Sequence, residues 1–293
     1  MTPGDDHVVL IDEPTLTDPV LIVAFEGWID AGFGAATAIS TLLEITDSQM
    51  IATFDGEYFL DQRARRPMAR IVDGVTVALQ WPEIQLRHGT DGDGADVLLL
   101  VGPEPDFHWV EFSDLVVALA EQFDVRLVVG LGAFPAPAPH TRPVRLAATV
   151  PSASQHLLAK VGLVAGELEV PAGIISALEL AFADAGIDAI TLWARVPHYV
   201  ATLPYPQASV ALVDGVASIA GLTLEASALR KSADEARSRV DDLVSSNPEH
   251  SSMVAELEST IDEAEGNALD TNVIPSGDDL ARDIERFLRG EEQ

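Results

Sequence analysis

Apolar residues fall into short unbroken runs, separated by longer stretches in which they recur every three to four positions. The run at 20–25 ends in Glu26-Gly27, the run at 97–101 in Gly102-Pro103, the run at 125–129 in Gly130, and the run at 190–194 in Arg195-Val196-Pro197. Runs without polar alternation are the pattern of strands buried on both faces. Between them, 35–43, 110–123, 173–183 and 208–220 carry helical spacing. Strands alternating with helices predict an α/β fold whose parallel or mixed sheet is covered on both sides. The more amphipathic span 51–79 predicts a hairpin turning at Asp73-Gly74 and extending the sheet in the antiparallel sense.

The pattern changes after residue 222. Leu229, Ala233, Ala236, Val240, Leu243 and Val244 follow helical spacing, Asn247-Pro248 breaks it, and Met253, Leu257, Ile261 and Ala264 resume it. That is a helical hairpin. Ser276 with Asp279 resembles a capping box and predicts a third helix burying Leu280, Ile284, Phe287 and Leu288. The chain therefore divides into a core at 1–222 and a helical arm at 223–293. So thin an arm buries little alone. It must dock on the core or on another subunit.

Composition narrows the function classes. The 293 residues hold 47 acidic against 17 basic side chains, a net charge of −30. Such a field repels phosphate backbones and anionic lipid, so neither nucleic acid nor a membrane surface is an expected partner. There is no cysteine, which excludes disulfides, thiolate nucleophiles and Cys-type zinc sites. No metal or cofactor is expected. No apolar stretch reaches 18 residues, and the acidic start of the chain lacks a signal peptide's basic region. A cytoplasmic protein is expected.

Three segments following buried strands carry candidate chemistry. The first contains Glu26, Gly27, Trp28, Asp30, Gly32 and Gly34 ahead of a helix, where close backbone approach and a helix N-terminus suit a ligand. Its spacing is neither a dinucleotide fingerprint nor a phosphate loop. Equally, Asp30 caps the helix and the glycines serve packing. The second runs from Gly130 through a proline-rich loop, with four prolines within 135–143, to His140 and Arg142. The histidine suits proton transfer and the arginine a carboxylate; equally, both tie the loop to nearby acidic residues. The third holds Arg195, His198 and Tyr199. In a parallel sheet the three share one edge and can surround one crevice. No nucleophile elbow and no paired-histidine metal motif appears.

Two further features stand apart. Arg63, Arg65, Arg66 and Arg70 concentrate cationic charge within eight residues of an acidic chain. They suit an acidic partner, including a second copy of this chain, or pair locally with Asp55, Glu57 and Asp61. The loop at 91–96 has calcium-like acidic spacing but lacks the later glutamate of an EF-hand, and is read as a turn.

Several segments together resemble the proteasome assembly chaperone 2 family, in its actinobacterial branch of uncharacterised proteins. They are 24–32, 61–67, 132–135 with 139–143, 196–199 with 204–206, 274–280 and 285–289. The resemblance implies a three-layer α/β/α sandwich of the phosphorylase/hydrolase-like type with a C-terminal helical extension. It further implies self-assembly, with a trimer expected, and a link to proteasome subunits. Chaperone-type relatives dock through a C-terminal hydrophobic–tyrosine–any tripeptide. This chain ends Gly290-Glu291-Glu292-Gln293, so that docking mode is not expected.

The leading expectation is thus a non-enzymatic, homo-oligomeric assembly or scaffold protein. The rival is a small-molecule binder or hydrolase-like enzyme, with Arg142 and Arg195 holding an anion, His140 or His198 moving a proton and Glu26 or Asp30 orienting it. A third reading is a partner-recognition module built on the arginine patch.

Overall fold

The computed structural model of the protein describes residues 7–27, 29–163 and 166–268, with the side chains of 160 and 264–268 left aside. Its strands are β1 (Val8–Leu10), β2 (Val20–Glu26), β3 (Gln49–Phe54), β4 (Met68–Val72), β5 (Val75–Gln80), β6 (Gln85–Thr90), β7 (Asp96–Pro103), β8 (Leu127–Ala136), β9 (Leu146–Thr149) and β10 (Ala189–Pro197). Eight form one sheet in the order β1-β3-β6-β7-β2-β8-β10-β9. The central four, β7, β2, β8 and β10, run parallel. The strands outside them pair antiparallel.

The helices are α1 (Gly34–Ile45), α2 (Gly56–Phe59), α3 (Trp109–Gln122), α4 (Ile174–Asp184), α5 (Pro206–Ala220), α6 (Ser227–Ser245) and α7 (Pro248–Ala268). Strand side chains alternate between faces, and the two cores follow that alternation. Val20, Ile22 and Ala24 of β2 pack with Leu42 of α1, Leu212 of α5 and Leu229 of α6. Leu21 and Val23 pack on the other face with Phe59, Phe112 and Phe182 from α2, α3 and α4. The result is a three-layer α/β/α sandwich with the C-terminal helices added to one layer.

Three features differ from the sequence pattern. First, β8 begins two residues later than the apolar run at 125–129 and continues through the segment read as a glycine loop. The cause is β10. A Cβ on Gly130 would stand 2.6 Å from the Thr191 hydroxyl, and one on Gly132 would stand 2.2 Å from the Trp193 ring. These glycines mark close approach inside a strand rather than a turn. Second, β10 likewise runs through Arg195 to Pro197. Third, the span 51–79 is not one hairpin. β3 joins the main sheet between β1 and β6, whereas β4 and β5 form a separate two-stranded sheet. The turn at Asp73-Gly74 is present, with φ of 50° and 82°, the two left-handed positions of a tight hairpin turn.

Two helices follow α5 in the described part of the arm. α6 and α7 break at Asn247-Pro248, where the Asn247 side chain accepts the Glu249 N–H at 2.9 Å and proline opens the helix. α6 packs against α5 and buries Leu229, Ala233 and Ala236. The predicted third helix from Ser276 lies outside the described residues. Among the described residues, no helix is long and apolar enough to cross a membrane.

Candidate functional site

Because β2, β8 and β10 are parallel, the segments after them meet at one rim of the sheet. Beyond β2 the chain bridges back to β8 at Asp30 and Ala133. Asp30 caps α1: its two carboxylate oxygens accept the Ala35 and Ala36 N–H groups at 2.8 and 2.9 Å. Burial still pushes its carboxyl above the usual range, against the pull of those N–H groups. Gly32 has φ 64°, and a Cβ there would stand 2.7 Å from the Tyr205 Cβ. One on Gly34 would stand 2.8 Å from the Ala133 Cβ. The glycines press the loop against its own protein and leave no cradle over the helix end.

The proline-rich loop carries an extended polar network. His140 is buried, at 2% exposure. The Tyr199 hydroxyl accepts the His140 backbone N–H at 2.8 Å and lies 2.7 Å from Nδ1. Since that hydroxyl already accepts one bond, its own proton points at Nδ1. Nε2 then carries the ring proton and donates to Asp241 Oδ1 of α6 at 3.0 Å. Burial lowers the His140 pKa, outweighing the pull of Asp241, and holds the ring neutral. Burial likewise pushes the Tyr199 hydroxyl up to about 12.

Next to it, Arg142 clamps Asp262 of α7 with two bonds, Nε to Oδ1 at 3.0 Å and Nη2 to Oδ2 at 2.7 Å. Its Nη1 reaches Glu258 at 3.2 Å, and the Thr141 hydroxyl donates to the same glutamate oxygen. The Arg142 guanidinium holds the Asp262 carboxyl below its usual range. Arg237 of α6 returns a bond to the Thr141 carbonyl at 3.0 Å. The loop is therefore a clasp for the helical arm.

The remaining candidates do not join this network as one crevice. Ala194 and Val196 belong to the core on the arm side, so Arg195 between them points to the opposite face. Its Nε is buried with no hydrogen-bond partner, and burial together with neighbouring Arg145 lowers its pKa. His198 sits edge-on to Tyr199, with ring centroids 5.4 Å apart. Glu26 is exposed and lines a groove of about 590 Å³ with Trp81, Glu83 and Pro103. Trp28 lies outside the described residues. No group of three metal-ligating side chains occurs among the described residues.

The arginine patch runs from the turn before the β4–β5 hairpin into β4 itself, which holds Arg70. Arg65 pairs with Asp106 at 3.1 Å. Arg63, Arg66 and Arg70 are exposed, and no hydrogen bond or ion pair reaches their guanidinium groups among the described residues. The loop at 91–96 is a turn. Asp91 accepts the Asp93, Ala95 and Thr223 N–H groups, which hold its carboxyl low against the opposing effect of burial.

Sequence reasoning missed the arm's side of the clasp: Arg237, Asp241, Glu258 and Asp262. Their signal is the i,i+4 spacing of 237 with 241 and of 258 with 262 beside the apolar stripe. It also missed the groove around Trp81 and Glu83.

The PAC2 family model matches residues 24–244. A Corynebacterium glutamicum protein of unknown function superposes with a TM-score of 0.82 at 30% identity, covering 89% of this chain and 99% of its own. A Mycobacterium tuberculosis protein of unknown function gives 0.82 at 32%, covering 91% and 93%. A Mycobacterium tuberculosis proteasome-assembly chaperone homologue gives 0.74 at 35%, covering 80% and 99%. No curated protein matches the sequence. With three quarters of its length under the family model and a 35% identical relative covering 80% of it, the chain belongs to the PAC2 family.

Proposed function

We propose that the protein is a non-catalytic, self-assembling scaffold of the assembly-chaperone type, with proteasome subunits as its clients. One observation carries the non-catalytic part. Three of the polar side chains that the sequence offers for chemistry at the rim, Asp30, His140 and Arg142, are engaged in structure. Asp30 caps α1, both nitrogens of the buried His140 ring are hydrogen-bonded, and Arg142 is clamped by Asp262. An acid–base catalyst needs a proton-exchanging atom within reach of substrate, and His140 offers none. The client class is supported by membership of the PAC2 family and by the likeness to a proteasome-assembly chaperone homologue. Self-assembly is supported by the exposed apolar hairpin of β4 and β5.

The test is reconstitution. The full chain is sized by light scattering at micromolar concentration, then mixed with purified proteasome α and β subunits from an actinobacterium. A stable oligomer that binds the free subunits and speeds their assembly is expected. A monomer that neither binds the subunits nor changes their assembly rate overturns the reading.

A further inference from the structure

The β4–β5 hairpin stands outside both cores. It forms its own two-stranded sheet, and every residue of β4 and β5 is exposed. Cross-strand partners share a face. Met68 with Gln80 and Val72 with Val75 lie on one face, and Ala69 with Leu79 and Ile71 with Thr76 on the other. Large apolar groups thus face solvent on both sides: Met68 is 72% exposed, Ile71 and Val75 each 62%. An isolated hairpin of this kind is marginal in water, and a contiguous apolar patch marks an interaction surface.

Charge selects the occupant. Arg63 and Arg66 stand at the hairpin's foot and Arg70 within β4, none of their guanidinium groups reached by a hydrogen bond or ion pair among the described residues, while the chain as a whole has net charge −30. At that same foot lies the groove whose charged lining is Glu26 and Glu83, with the half-exposed Trp81 also lining it. Each copy therefore presents a cationic, apolar ridge beside an anionic groove with an aromatic lining. The geometry points to a second copy of this chain as the partner: the arginine-bearing hairpin of one subunit seats in the Glu26–Trp81–Glu83 groove of the next. This rests on the self-assembly in the proposed function and names the surface that performs it.

Charge reversal with reciprocal rescue tests the contact. Wild type, the R63E/R66E/R70E variant and the E26K/E83K variant are sized by light scattering at micromolar concentration, with circular dichroism to verify folding. Each variant alone is expected to fall to monomer, its dissociation constant rising about tenfold or more per close pair reversed. Mixing the two variants one to one restores association between them, since the reversed hairpin of the first fits the reversed groove of the second. I71K approaches the same contact from the apolar side and is expected to weaken assembly even if a charge variant fails to fold. A wild-type oligomer unchanged by all three variants overturns this inference and leaves self-assembly standing. Monomeric variants that do not recombine also overturn it. A monomeric wild type overturns both.

Discussion

His140→Ala isolates the buried half of the clasp. The substitution removes three things. The Nε2–H bond to Asp241 is lost, but that carboxylate is half-exposed and rehydrates, so the loss is about 1 kcal/mol. The Tyr199 hydroxyl proton loses its acceptor at a buried site, which costs about 1–2 kcal/mol. The imidazole leaves a void between the loop and α6, worth another ~1–2 kcal/mol. A destabilisation of about 3–5 kcal/mol is expected, read as a shift of the urea midpoint at constant m-value. Hydrogen exchange locates it: the amides of α6 should open with the loop, while those of β2 and β8 keep their protection. A loss under about 1 kcal/mol, or a larger one with unchanged exchange in α6, refutes the clasp. His140→Gln supplies the pH control. Since burial lowers the folded pKa below the ordinary 6.5, the unfolded chain takes up the proton first as pH falls. The neutral ring's stabilisation is full above 6.5 and is lost as pH falls through that value toward the folded one. Wild type should therefore lose more stability than His140→Gln between pH 7 and pH 5.

Three other outcomes follow from the same geometry. Glu179 accepts hydrogen bonds from Thr149 and Thr191, and its pKa is raised chiefly by burial. A raised carboxyl costs stability as pH climbs through 4.5 and beyond, so Glu179→Gln should be the more stable protein at pH 7. That gain should vanish below pH 4 in parallel urea titrations. Gly32→Ala forces a side chain into a left-handed backbone against Tyr205. It should cost about 2–4 kcal/mol by thermal or chemical unfolding, and a neutral result would mean that the loop is open. A thermal-shift panel of nucleosides, amino acids and carboxylates should leave Tm unchanged. A ligand at a hundredfold excess over Kd adds about 2.7 kcal/mol, and a hit abolished by Arg142→Ala would restore the enzyme-like reading.

The fold was legible where apolar pattern alone decides it. The runs at 20–25, 97–101 and 190–194 are strands because side chains on both faces meet helices, and α1, α3, α4 and α5 match their predicted spans within about two residues. The glycines of β8 misled because local sequence cannot distinguish a turn from a strand pressed by Thr191 and Trp193 of its neighbour. The rim was legible as a meeting place but not in its wiring. His140 lies 101 residues from Asp241, and Arg142 lies 120 from Asp262. Among 47 acidic side chains, spacing cannot choose the partner. The reading in which His140 and Arg142 tie the loop down describes this geometry, with the helical arm supplying the carboxylates. Arg195 shows the opposite limit. Two-residue alternation places it on the other face from Ala194, and once β10 is known to extend through Pro197 that follows from counting.

The clasp has two halves that obey different physics, and salt separates them. His140, Tyr199 and Asp241 hold α6 through a buried, neutral ring, and α6 also packs apolar residues on α5. α7 buries Val254, but its polar hold is the ion pairing of Arg142 with Glu258 and Asp262 near the surface. Exposed pairs are screened by salt, with a Debye length of about 3 Å at 1 M, whereas buried contacts are screened far less. The family match also ends at residue 244, one residue before α6 does, and leaves α7 outside it. Raising NaCl from 0.05 to 1 M, values spanning weak to near-complete screening, should therefore speed hydrogen exchange in α7 and spare α6. Arg142→Gln at low salt should reproduce the effect without further response to salt. If α6 and α7 loosen together, the arm is one cooperative unit and the division of its attachments fails. If neither responds, Val254 and its neighbours hold α7 unaided and the arginine clamp is ornamental to stability.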